Sequence, residues 1–487
     1  MSSRRAIRPV INSNGELRRS GTHSPGKGPP KVLTIQPAKS LRGKIDLPPS
    51  SDLFVLTTVV ALARRRTIRI TAPVDTPFLR DWQRTLEGHA VFEWSEEGCL
   101  VSPVMKSPSL RVGFDSTDIP WRDLTVFTLL GMGKTLVFRS ITEKRLLNWR
   151  EQAKRLGQVL VSQPYETSLC LSIEGVSVPN APDNPATVSP EDIHPLLGLL
   201  LGSGQEGTFQ TDTALSSPLR SVAAPFGCVM EVKSSVTRER DEVARRLQIM
   251  QQKGRRQGTA SGQRFIVTAD FTRSEGPGPE QPLTITLPGD EIIGAALTAA
   301  KCLFPKSQLV ISNILLETWA TPLIGFIRKM GCKVSAQETV RTSFGSCGML
   351  HIQTGGLEGR KVECVPAVEF SPYLAAMVVV ASFAQGESVF RGLEDLRHDE
   401  PDGIELMESC IRTLGPRHGE MPDGIVLKGG RDFDGFDMAS PLMAAHAASF
   451  AVAALRCIGT STVNDEALMR RFPYFESMLN DICERRQ

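Results

Sequence analysis

Long apolar runs alternate along this chain with short β-rich segments and with amphipathic stretches of helical period. Five runs stand out: LFVLTTVVALA (residues 53–63), DLTVFTLLGM (123–132), EIIGAALTAAKCLF (291–304), PYLAAMVVVASFA (372–384) and PLMAAHAASFAVAAL (441–455). A helix with one apolar stripe can turn its polar face to water, but a helix apolar on nearly every face must be covered all round. These runs are therefore predicted to be interior helices. The longest stretches, Tyr373 to Ala384 and Leu442 to Leu455, are broken by Ser or His and fall short of the roughly 20 residues that span a bilayer.

A β-rich segment recurs six times: TIRIT (Thr67 to Thr71), TLVFR (Thr135 to Arg139), CVMEV (Cys228 to Val232), QLVIS (Gln308 to Ser312), ESVFR (Glu387 to Arg391) and TSTVN (Thr460 to Asn464). Their starts are 68, 93, 80, 79 and 73 residues apart, which marks an internal repeat. After five of them an amphipathic helix is expected to close on Gly88, Gly157, Gly254, Gly331 or Gly415, because a left-handed C-cap costs glycine least. Three copies fit a domain of ordinary size, so six predict two. The Gly/Pro-rich stretch SEGPGPEQP (Ser274 to Pro282) is the natural crossover between them.

Composition narrows the function classes. The 487 residues carry 56 Lys+Arg against 53 Asp+Glu, a formal net charge of +3. Nucleic-acid and membrane-surface binding both need concentrated positive charge, so neither is expected. Ten scattered cysteines with no C-x-x-C pair and no Cys/His cluster at zinc-ligand spacing predict reduced thiols in a cytoplasmic protein and no metal site. Residues 1–30 differ from the rest: Arg4, Arg5, Arg8, Arg18, Arg19 and Lys27 face a single acid, Glu16, which predicts a disordered basic tail, with an organellar transit peptide as the alternative. GMGKT (Gly131 to Thr135) and GSGQEG (Gly202 to Gly207) look like phosphate-binding motifs but lack the strand-then-helix context, so both are read as turns.

The repeat order, the opening KSLRGKIDLPPS, the segment LPGDEIIGAALTAAK, the phrase GLEDLRHDEPDGIELMESCIRTLG and the ending VNDEALMRRFPYF resemble the EPSP synthases (3-phosphoshikimate 1-carboxyvinyltransferases), from about residue 32 to the C-terminus. The resemblance implies a two-domain α/β protein of "inside-out" barrels, each built of three βαβαββ units, with the active site between them. It assigns residues 46–280 to one domain and 31–45 plus 281–487 to the other.

It also implies a set of substrate contacts, and many positions have changed type. Where the family has Lys and Arg in its first block this chain has Ser51 and Leu56, which cannot replace phosphate-binding cations. The S-S-Q phrase is matched to Gln210, Thr211 and Asp212, the proton-transferring Asp to Pro372, and the D-H-R phrase to Met443, Ala444 and Ala445. What persists is Arg122, Arg145 and Arg470 as anion-binding residues and Glu400 as the catalytic acid. Asp399, Glu400 and Asp402 around Pro401 equally suit a helix N-terminus. The expected function is binding of an anionic phosphate or carboxylate compound in the interdomain cleft, without a cofactor, by an enolpyruvyl-transferase-type enzyme of altered substrate that does not make EPSP. The alternative is a non-catalytic relative used for ligand sensing or for binding a protein partner.

Overall fold

The computed structural model describes residues 32–485 apart from 105–108, 113–118, 139–140, 166–167, 175–184, 212–218, 236–263, 273–280, 317–320, 365–366 and 399–401. The basic tail, Gly254, most of the Ser274 to Pro282 stretch and Glu400 lie outside the described residues. Six helices form the interior: α1 (Ser51–Ala63), α2 (Arg122–Gly131), α3 (Ile193–Ser203), α4 (Glu291–Leu303), α5 (Ala367–Phe383) and α6 (Ala444–Arg456). In α1 every residue from Ser51 to Leu62 is buried, as the all-round apolar pattern requires. Among the described residues no helix is long and apolar enough to cross a membrane.

Each interior helix turns within a few residues into a strand: β1 (Ile68–Thr71), β2 (Thr135–Phe138), β3 (Glu206–Thr211), β4 (Gln308–Leu315), β5 (Gly386–Arg391) and β6 (Ser461–Asn464). Each of these strands is flanked by a parallel strand on one side and an antiparallel strand on the other, giving a mixed α/β protein with six small sheets among the described residues.

Two sequence expectations need correction. The strand that follows the third interior helix is Glu206–Thr211, not the Cys228 to Val232 segment, which belongs to the next strand of the same sheet, Val229–Ser235. The run LLGLLL hides that helix because it is short and because Pro195 and Gly198 interrupt the helical pattern. The irregular spacing of 93 residues was its trace. Secondly, Leu283–Thr286, grouped above with residues 281–487, pairs in parallel with β1 of the first half. Conversely, Val32–Ile35 pairs with β6 and Ala38–Asp46 with β4.

The chain thus crosses between its halves twice, and the two crossings touch. Pro49 and Gly289 form a β-bridge, the Ser50 amide donates to the Pro288 carbonyl at 2.8 Å, and the Asp290 amide donates to the Pro48 carbonyl at 2.7 Å. Each crossing also starts a helix. Ser50 Oγ caps α1 by accepting from the Leu53 amide at 3.1 Å and donates to Glu291 Oε2 at 2.7 Å. Asp290 caps α4 through the Ile292 and Ile293 amides and accepts from both the amide and the hydroxyl of Ser51 at 3.2 Å. Burial, followed by repulsion from Asp52, pushes the Asp290 carboxyl up to about 7, with Arg471 opposing. Burial beside Asp290 and Asp52 raises Glu291 as well.

α2 and α3 approach so closely that a methyl group at Gly202 would lie 2.1 Å from the Thr128 carbonyl oxygen, and one at Gly198 would lie 2.7 Å from the Leu124 carbonyl oxygen. Gly202→Ala is expected to lower stability by about 1–3 kcal/mol through overpacking against backbone, read by chemical denaturation. Asp290 gives a second test. Its folded-state value lies above its unfolded value, so its stabilising contribution is complete below about pH 4 and is lost as pH rises toward about 7. Asp290→Asn keeps a capping side chain without that titration. Its stability relative to the parent protein should therefore improve between pH 5 and pH 8.

Candidate functional site

The first turns of five interior helices and the second turn of α5 open into one cavity of about 210 Å³, lined by Asp52 of α1, Arg122 to Leu124 of α2, His194 of α3, Ile292 of α4, Ser371 and Pro372 of α5, and Ala444 to His446 of α6. A helix N-terminus carries unpaired amide hydrogens and the positive end of the peptide dipole. Five of them around one space make it electropositive before any side chain is counted.

Side chains add to this on one wall. Arg145 lies on the helix Glu143–Arg155, whose start is capped by Thr142, and it is 3% exposed although its helix is otherwise rich in charge. Asp123 is the hub of this wall: it accepts from Trp149 Nε1 at 2.8 Å and from Gln152 Nε2 at 3.3 Å, and Arg122 Nε lies 3.5 Å from it. Burial works to raise the Asp123 carboxyl, but Arg122, Arg145 and the two hydrogen bonds together hold it below its usual range. Arg145 is pushed down to about 10, by burial first and by repulsion from Arg122 second, with Asp123 and Asp395 opposing. Two guanidinium groups are held close enough to repel in a buried space.

The short helix Glu466–Arg471 also lines the cavity. Arg470 reaches Asp81 with Nε at 3.0 Å and Nη2 at 2.7 Å. Arg471 pairs with Asp52 and lies over the Phe78 ring at 4.1 Å. Asp395 and His398 close the edge. Burial, then the nearby carboxylates Glu191, Glu394 and Asp123, push Asp395 up to about 6, with Arg145 opposing. Glu191 is held at the rim by its neighbour Asp192, which accepts from Ser189 and takes a two-pronged contact from Arg155 at 2.7 Å.

Arg122, Arg145 and Arg470, far apart in sequence, therefore meet at one cavity. Glu400 lies outside the described residues, while Asp402 caps the helix Gly403–Leu414 by accepting from the Ile404 and Glu405 amides at 2.9 and 3.1 Å. Leu56 is fully buried in the core, and Ser51 is tied to Asp290. Pro372, Met443, Ala444 and Ala445 do reach the cavity, as inert lining. The S-S-Q assignment is corrected: Gln210 and Thr211 sit in β3, paired with Arg264–Asp270, whereas Pro190 and Glu191 ahead of α3 line the cavity. That error follows from misplacing the third repeat by one strand. Sequence reading also missed Asp123, Arg471, Asp395, His194 and His446. The first two adjoin residues already singled out; the histidines are hidden at the starts of apolar runs.

Residues 263–479 match the family model for EPSP synthase (3-phosphoshikimate 1-carboxyvinyltransferase). The 3-phosphoshikimate 1-carboxyvinyltransferase of Acaryochloris marina is 27% identical over 226 residues, 46% of this chain and 51% of its own; that of Synechococcus sp. WH7803 is 31% identical over 195 residues, 39% and 44%. The matched region spans about half the length of these relatives. By structure, EPSP synthase from Acinetobacter baumannii superposes with a TM-score of 0.61 at 15% identity, covering 93% of this chain and 98% of its own. The enolpyruvyl transferase NikO from Streptomyces tendae gives 0.58 at 15% identity, covering 91% and 95%. The fold is that of EPSP synthase across nearly the whole chain, while sequence kinship concentrates in the second half.

Proposed function

We propose, for a chain that is a strongly divergent member of the EPSP synthase and enolpyruvyl transferase family, that the cavity binds an anionic small molecule through a phosphate or carboxylate and transfers a carboxyvinyl group to an acceptor other than shikimate 3-phosphate. The observation that carries this reading is the convergence of five helix N-termini with Arg122 and Arg145 on one buried space. An anion between them offsets the burial and the repulsion from Arg122 that depress Arg145, and it accepts bidentate hydrogen bonds from planar guanidinium groups. The cavity then lies between two three-repeat lobes that meet at the crossovers. Asp395 is the carboxyl best suited to deliver a proton, since near neutral pH it retains a protonated fraction next to the arginine wall.

A changed acceptor is favoured by the residues at the matched positions. Ser51, Leu56, Pro372 and Ala445 offer neither cations nor a carboxyl, and losing one transition-state contact of this kind typically costs about 3 kcal/mol. The same replacements support the second reading, a ligand sensor without catalysis. The Arg122 and Arg145 wall is the anion seat, because its two guanidinium groups stand close enough to act on one anion together.

Phosphoenolpyruvate and inorganic phosphate titrated by calorimetry should bind the parent protein. Arg145→Ala should bind at least roughly tenfold more weakly, as expected for a charged hydrogen-bond partner, while its circular dichroism is unchanged. Unaltered affinity in that variant would overturn the anion seat. Shikimate 3-phosphate and phosphoenolpyruvate together should release no phosphate above background; turnover would show that the family reaction persists.

A further inference from the structure

The cavity holds a second group of side chains that the arginine wall does not explain. His194 and His446 come from opposite halves of the chain, at the starts of α3 and α6, and both line the cavity. They are 4% and 8% exposed. Among the described residues His194 Nε2 and both ring nitrogens of His446 have no hydrogen-bond partner. Gln152, 2% exposed on the same cavity, is in a similar position: its amide nitrogen donates to Asp123 and to the Glu191 carbonyl, and among the described residues its Oε1 has no donor. A buried polar atom without a partner costs about 1–3 kcal/mol, and native proteins keep few of them. Three such side chains around one cavity are a built feature.

Their chemistry differs from that of the arginines. Burial pushes both histidines down to about 4, so each is a neutral imidazole, one nitrogen donating and the other accepting. Asp123, the acid acting on His194, is already engaged by Trp149 and Gln152. A neutral imidazole matches a hydroxyl or a carbonyl group, and the carboxamide oxygen, which accepts only, matches a hydroxyl. They give an anion little, and an apolar group would leave every one of these atoms unpaired.

We propose that His194, His446 and Gln152 form a selectivity subsite that hydrogen-bonds the uncharged, hydroxyl-bearing body of the ligand, so that the cavity prefers a hydroxylated compound carrying a phosphate or carboxylate over the bare anion. This rests on the anion seat proposed above. It assigns to the histidines a role in ligand choice and none in folding. A residue retained for a ligand at the expense of the free protein leaves a signature, because replacing it with an apolar side chain of similar volume stabilises the unliganded fold.

The test combines melting of the free protein with a binding panel of inorganic phosphate, shikimate 3-phosphate, ribose 5-phosphate and inositol 1-phosphate. His446→Leu and His194→Leu should each raise the melting temperature of the free protein by roughly 2–4 °C, the shift that about 1 kcal/mol produces in a domain of this size. In the parent protein at least one hydroxylated phosphate should bind ten times or more tighter than inorganic phosphate. The leucine variants should erase that preference while inorganic phosphate binds as before, and His446→Gln should restore part of it. A fall in melting temperature in both leucine variants, equal loss of affinity for every probe, or no hydroxylated phosphate preferred by the parent would overturn the subsite. The last two outcomes are those expected if the histidines are satisfied only by trapped water. Inorganic phosphate failing to bind the parent removes the anion seat instead, and the melting shifts still decide the histidines.

Discussion

The fold depends on the reciprocal capping at the two crossings. Ser50 and Asp290 each cap the helix that follows them and each bonds the other's neighbour, so α1 and α4 begin at one shared point. Both segments carry a proline and a small residue, which lets two extended backbones exchange amide hydrogen bonds at 2.7 to 2.8 Å. Three carboxyl groups, Asp52, Asp290 and Glu291, are gathered there with Arg471 as the nearby cation. The arrangement tolerates this crowding because protonation relieves it, and because helix N-termini favour whatever negative charge remains.

The same convergence explains why cations and histidines coexist in the cavity. Burial pushes His194 and His446 down, against the pull of Asp123 on His194, and leaves both neutral. Guanidinium groups keep their charge under the same conditions, which is why the arginines carry the positive side chains at this depth. Asp123 holds the wall in register by binding Trp149 and Gln152 of the neighbouring helix and balancing Arg122.

Much of this was legible in the chain. An apolar run without a polar stripe has few alternatives to burial, so five of the interior helices could be placed from pattern alone, and the β segments after them followed. Four of the five glycines expected to close amphipathic helices, Gly88, Gly157, Gly331 and Gly415, do have positive φ. The third interior helix escaped because its run is brief, and the error propagated to Gln210 and Thr211. The meeting of Arg122, Arg145 and Arg470 came from the resemblance, since nothing in local sequence brings positions 300 residues apart together. His194 and His446 carry no local signal at all: a histidine at the start of an apolar helix looks the same whether it faces a neighbour or a ligand.

The glycine notch between α2 and α3 runs from Gly198, against Leu124 at the cavity, to Gly202, against Thr128, and it fixes how Arg122 and His194 stand relative to each other. Gly198 and Gly202 let the two backbones touch, so the helices behave as one rigid lever whose tips bear the site. Lining residues at the tips can be exchanged without moving the lever, whereas a single methyl group in the notch forces the two backbones apart. Substrate preference in such a scaffold can drift freely while its hidden fulcrum stays fixed, and engineering of the cavity should leave those two positions alone.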